Sequence, residues 1–213
     1  FTQRGIPVVT LHGVTREMSS FGEQARIAED PAKIGAEVAQ FFTARLQNRS
    51  GDLVVTQSGD NMLESSITRE LIAQMREKCP NITIRHDFDF VQTDRTDMLV
   101  DYIRNVPDLV GAFTTAGFSC VNWAAAIKLA GREDLVLVGT DYSDESIRLV
   151  ENGELDAFVA QPLYEEGQMG VVAMDAILRG NQFPCFRSLD APLVTRENLE
   201  KYRRLLQEVN NWY

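Results

Sequence analysis

The sequence predicts an α/β protein with parallel sheets flanked by helices, and three observations predict it. Short apolar runs rich in β-branched residues recur along the chain, as in residues 5–11 (GIPVVTL), 53–56 (LVVT), 109–113 (LVGAF) and 135–138 (LVLV). Runs of this length bounded by Gly, Pro or Asp read as buried strands. Segments with an apolar residue every three or four positions separate them, the spacing of a helix lying on a sheet. Repeated strand–helix units imply a mostly parallel sheet, helices on both faces and right-handed crossovers.

The elements follow in order. Residues 5–11 form the first strand, with Pro7 suited to a strand entry and not to its middle. His12-Gly13 closes it, and residues 14–21 read as a polar loop. Residues 26–30 (RIAED) are a short strand. Asp30-Pro31 then starts a helix, because Asp caps well and Pro fits the first helical turn. This helix runs to about Gln47 and places Ile34, Val38, Phe41, Phe42 and Leu46 on one face. A helix over 64–78 turns Ile67, Leu71, Ile72 and Met75 inward. A strand begins at 82–84, a helix spans 94–105, and a helix rich in small residues spans 118–130. A helix is expected at 165–178 and ends at Arg179-Gly180. Residues 183–195 are extended and interrupted by Pro184 and Pro192. The last helix, 197–209, aligns Leu199, Tyr202, Leu205, Leu206 and Val209.

Composition narrows the function. Of 213 residues, 44% are hydrophobic and 24% charged, an ordinary globular balance. A net charge of −10 argues against a nucleic-acid surface, which needs clustered Lys and Arg. No apolar run approaches the roughly 20 residues that span a bilayer. Phe1-Thr2-Gln3-Arg4 does not read as a secretion signal, so the sequence reads as a processed chain or a piece of a longer one. Cys79, Cys120 and Cys185 are widely spaced and read as idle thiols that leave the compartment open. Asn48-Arg49-Ser50 matches a glycosylation pattern too short to carry weight. Gly51, Gly59 and Gly139 build no phosphate-cradling loop, His12 and His86 are the only histidines, and no Ser/His/Asp order stands out. No catalytic residue, no metal site and no cofactor is expected, and the chain does not read as an enzyme.

The most informative stretch is 135–167, LVLVGTDYSDESIRLVENGELDAFVAQPLYEEG. A strand over 135–138 leads through the turn Gly139-Thr140-Asp141 into a helix at 143–151. That helix stops at Asn152-Gly153, where Gly can take the left-handed conformation. A second strand, 157–160, ends in Gln161-Pro162. Asp141 and Gln161 thus follow the C-terminal ends of strands, the edge where open parallel sheets bind ligands. GTDYSDESIRLVENGELDAFVAQ resembles the core signature of the type I periplasmic sugar-binding proteins. It is similar as well to the effector domains of lactose-repressor-type regulators. The likeness extends from Gly5 to about Tyr202.

The resemblance implies a type I periplasmic-binding-protein-like fold of two lobes joined by three crossovers, with ligand held in the cleft between them. On this pattern residues 1–30 and 162–189 are a remnant of the first lobe, and 31–161 with 190–213 make a complete second lobe. With the first lobe partial, the apolar faces of the 165–178 helix and of the first strand are expected to stay exposed unless another chain covers them. Self-association through the incomplete lobe is one such cover.

The same resemblance nominates ligand-binding residues. Asp141 takes the place of the family's cleft aspartate, with a helix cap as its other role and Ser143 as rival for the cap. Gln161 matches the glutamine at the hinge, whose amide both donates and accepts; its other role is a hinge hydrogen bond without ligand contact. His12 stands where the family carries an aspartate, a departure that points away from a simple aldose; it reads equally as a loop histidine. Thr115 compensates for Ala116, which replaces a hydrogen-bonding residue. Tyr142 offers a stacking wall or ordinary packing, as does Phe118. Ser66 falls near a family arginine, with Arg69 beside it, and Thr93 falls on the cleft side of the same alignment.

The resemblance implies a solute-binding protein that captures a small polar ligand, a sugar or polyol, and presents it to a membrane transporter permease or a sensor, in the periplasm or outside the cell. The tail LVTRENLEKY at 193–202 resembles transporter-linked members. The second reading is the effector domain of a cytoplasmic regulator. An enzyme on the same kind of sheet comes third.

Overall fold

The computed structural model describes residues 2–12, 22–57, 62–88 and 95–210. The 14–21 loop, residues 58–60, the Asp94 helix start and Thr93 lie outside the described residues. The chain divides into two compact units: Phe1–Pro31 with Gln161–Ala191, and Ala32–Ala160 with Pro192–Tyr213.

The larger unit is an α/β layer built on one six-stranded sheet. Its elements are α1 (Pro31–Leu46), β3 (Gly51–Thr56), α2 (Met62–Lys78), β4 (Ile82–Phe88), α3 (Thr96–Asn105), β5 (Leu109–Thr114), α4 (Gly117–Ala130), β6 (Val136–Thr140), α5 (Asp144–Asn152), β7 (Ala157–Val159), β9 (Leu193–Thr195) and α7 (Leu199–Asn210). The sheet order is β4-β3-β5-β6-β7-β9. All pairings are parallel except β7 with β9, which run antiparallel.

The central strands are buried on both faces, which is why they read as unbroken apolar runs. Successive side chains point to opposite faces. Val54 and Ala112 join a cluster with Leu99, Ile103, Trp123, Ile147, Leu199 and Tyr202, drawn from α3, α4, α5 and α7, and with Phe158 of β7. Leu53 points the other way, toward the α1 ring of Phe42 beside Gly111. Gly35 lets α1 approach α2, because a Cβ there would meet the Ile67 carbonyl and the Leu71 amide.

The smaller unit contains η1 (Thr2–Arg4), β1 (Val9–Leu11), β2 (Ala25–Glu29), α6 (Leu163–Leu178) and β8 (Phe186–Leu189). Its sheet has the order β1-β2-β8, all parallel. Ala25, Ile27 and Ala173 are buried between sheet and helix, with Val9, Met169, Ile177, Phe183 and Leu189 around them. On α6, Val171, Val172 and Leu178 are 71%, 56% and 68% exposed, while Ala173 packs on the sheet.

Several expectations need correction. The first strand covers only Val9–Leu11: Gly5 sits at φ 70°, which breaks extended backbone ahead of Pro7. The strand expected at 135–138 runs on as β6 through Thr140, so the turn begins at Asp141. Ile72 is half-buried, lining a surface cavity of about 460 Å³ instead of the core, and Phe41 is half-buried beneath Arg45. The cap of α5 is Ser143, whose hydroxyl accepts from the Ser146 amide at 3.2 Å. Gly153 ends that helix at φ 77°, as the Asn-Gly pair predicts.

Candidate functional site

The nominated residues fall in two groups, one in each unit. In the larger unit they gather at the C-terminal ends of β3, β5 and β6. Asp141 directly follows β6 and holds a left-handed backbone, φ 93°, a conformation that Asp tolerates better than most residues. Gly117, the first residue of α4, lies against it: a Cβ at Gly117 would collide with the Asp141 carboxylate. The acid therefore sits at a helix N-terminus, where the macrodipole favours negative charge. Burial nevertheless raises its pKa above the usual aspartate value, against a backbone hydrogen bond at Tyr142. With Ser143 as cap, Asp141 is released from capping and remains a half-buried acceptor.

Thr115 is buried and its hydroxyl donates to Glu64, while its backbone carbonyl accepts from the Thr140 hydroxyl at 2.5 Å. The Tyr142 ring stacks on Phe158 at 6.1 Å and meets Tyr202 edge-on, with its hydroxyl donating to the Tyr202 carbonyl. These contacts commit Tyr142 chiefly to packing. Ser66 is half-buried on α2, Arg69 is exposed beside it, and Phe118 is exposed on α4. Gln57 follows β3; its amide meets Ser65 and its carbonyl accepts from Thr68. Glu64 and Gln57 were not nominated. Their signal in sequence is their position just past a strand and in the first turn of the next helix.

In the smaller unit His12 follows β1, with φ 56° and its backbone amide donating to the Ile27 carbonyl at 3.0 Å. Its Nδ1 lies 3.4 Å from Glu29 Oε2 and 3.5 Å from Glu166 Oε2. Glu29 ends β2 and Glu166 sits in the first turn of α6; both are buried. Gln161 donates from Nε2 to Glu29 Oε1 at 3.0 Å. The electrostatics follow from this crowding. The neighbouring carboxylates of Glu166 and then Glu29 hold His12 up at about 10, against burial. Burial would raise Glu29, yet the proximity of His12 and then Glu166 outweighs it and holds the acid at about 2. Burial raises Glu166 to about 7. His12 and Gln161 were legible as candidates, whereas Glu29 and Glu166 look like ordinary surface acids in sequence.

Comparison with known proteins identifies the family and the fold. The model of the periplasmic binding protein domain matches residues 1–182. The chain belongs to that family. The ribose import binding protein of Salmonella typhimurium is 22% identical over 205 residues, which is 92% of this chain and 65% of that protein. The D-allose-binding periplasmic protein of Escherichia coli is 24% identical over 182 residues, 81% of this chain and 58% of the relative. The chain thus spans about 65% of the length of the curated relatives it matches first. Among solved structures, a transporter solute-binding protein from Agrobacterium vitis with bound D-fucose superposes with a TM-score of 0.84 at 22% identity, covering 93% of this chain and 69% of that one. The fructose-binding periplasmic domain of a hybrid two-component system gives 0.83 at 20% identity, covering 99% and 70%. The fold is therefore the type I periplasmic-binding-protein fold, as the 135–167 signature implies.

Proposed function

We propose that this chain is the ligand-capturing part of a solute-binding protein. It takes up a small polar ligand, a sugar or polyol, reversibly and without chemical change, in an interlobe cleft of the kind the resemblance implies. The observation that carries this reading is Asp141. It is a half-buried carboxylate held on a left-handed backbone at the end of β6, relieved of capping and seated on the N-terminus of α4. Such a group is a strong, pre-oriented acceptor for hydroxyls. Family membership and the import-binding names of its relatives support this reading over a regulator's effector domain and over an enzyme. The partner of the loaded protein is then a transporter permease or a membrane sensor, and its place is the periplasm or the cell exterior.

A thermal-shift panel of sugars, polyols and small acids tests the proposal. A ligand that binds only the folded state stabilises it by RT ln(1 + [L]/Kd), about 2.7 kcal/mol at a hundredfold excess over Kd. A sugar or polyol is expected to raise the midpoint. Asp141→Asn keeps the shape and the backbone and removes the charged acceptor, so it weakens that ligand about tenfold or more. Gly117→Ala displaces the carboxylate and has a comparable effect. A cooperative melt that no sugar or polyol shifts overturns the reading.

A further inference from the structure

We infer that His12, Glu29 and Glu166 form a binding site for a divalent transition-metal ion of the Zn2+ class. The three side chains offer Nδ1 and two carboxylate oxygens that all lie within 4.8 Å of one another. The His12 separations, 3.4 and 3.5 Å, match the spacing between ligands around such an ion, which is about 3.4 Å for tetrahedral bonds of about 2.1 Å.

Two independent features point to a cation. Glu29 Oε2 and Glu166 Oε1 are buried and have no hydrogen-bond partner among the described residues. Glu29 Oε2 faces the cluster, 3.4 Å from His12 Nδ1, and a buried acceptor oxygen without a donor needs a positive centre more than it needs water. The supporting shell is also present. Gln161 donates to the other oxygen of Glu29 and fixes the orientation of that carboxylate, the role that outer-shell hydrogen bonds play at metal centres. The Ile27 carbonyl, bonded by the His12 amide, holds the left-handed backbone that turns the imidazole toward the acids.

Donor chemistry selects the ion. One imidazole with two carboxylates suits Zn2+ or Mn2+, whereas Ca2+ and Mg2+ favour oxygen-only shells. The His12 side chain is 38% exposed while those of Glu29 and Glu166 are 0% and 2%, so the ion enters from the imidazole side. Its remaining positions then face that opening and take water or ligand oxygens. The assignment holds whether or not the ligand is a sugar, and its test uses no sugar.

Equilibrium dialysis of the full chain against Zn2+ is expected to give one ion per chain. Glu29→Gln and Glu166→Gln each lower the affinity about tenfold or more, and Gln161→Ala lowers it about tenfold. Cys185→Ser removes the exposed thiol and leaves uptake unchanged. A second readout needs no variant. The chain has two histidines, so Mn2+ broadens the imidazole resonance of His12 and leaves that of His86 sharp. Absence of stoichiometric uptake, uptake that survives in the Glu29→Gln/Glu166→Gln double variant, or broadening at His86 alone each overturns the inference.

Discussion

The two units are stabilised in different ways. The larger one closes an apolar core around Trp123, Phe158 and Leu137, and among the described residues its buried charged residue is Asp52, bonded to the half-exposed Arg85 at 2.6 Å. The smaller one buries Glu23, Arg26, Glu29 and Glu166 in a unit of only one three-stranded sheet and one α-helix, and leaves apolar side chains of α6 in solvent. Burial of apolar area is non-directional and tolerant, whereas buried charge is costly unless each group is matched. The smaller unit therefore depends on a few specific partners, and the larger one on collective packing.

The largest expected effect tests the packing side. Trp123→Ala removes a fully buried ring and should cost about 3–5 kcal/mol, read by urea denaturation. Val171→Ser, on the open face of α6, should change stability by less than about 0.5 kcal/mol. Equal costs would erase the contrast. Next, Gln161→Ala removes a hydrogen bond to a buried carboxylate and should cost about 1.5–3 kcal/mol by the same measurement.

The acid–base behaviour of the cluster sharpens the comparison further. The stability that His12 contributes is complete below pH 6.5 and is lost as pH rises through about 10. Glu29 contributes above pH 4.5 and loses its share as pH falls through about 2. Glu166 is favoured in its protonated form, so folding weakens as pH rises from 4.5 through about 7. Urea midpoints across pH should therefore fall through the neutral range, and Glu166→Gln should flatten that fall. An unchanged profile in the variant would place the titration elsewhere.

The smallest effect concerns the thiols. Cys185 in the smaller unit is exposed, while Cys79 and Cys120 in the larger unit are buried. Burial, then the charge of Asp141, push the Cys120 thiol up to about 12. A thiol reagent at neutral pH should label Cys185 quickly and the other two only on unfolding. Rapid labelling of Cys120 would show that the packing around β6 is loose.

The sequence displayed what depends on local pattern. Apolar runs marked β3, β5 and β6, Asn152-Gly153 marked the end of α5, and Asp141 and Gln161 were visible because they follow strand ends. What depends on distant neighbours stayed hidden. Glu29 and Glu166 meet only after β2 and α6 come together, and an acid near a helix start looks like solvent-facing charge in sequence. Phe41 and Ile72 fit the helical spacing of the core, yet they sit at the margin of the apolar stripe, where spacing alone cannot tell inside from rim.

The positive φ of Asp141 has a consequence for how such a protein can diversify. Only Gly, Asn, Asp and a few others occupy that backbone region readily. Mutation at this position can therefore trade charge for an amide or delete the group, but it cannot enlarge or branch the side chain without disturbing the loop. On the ligand role proposed for Asp141, preference shifts through the positions around it, while this position itself stays within a very small alphabet.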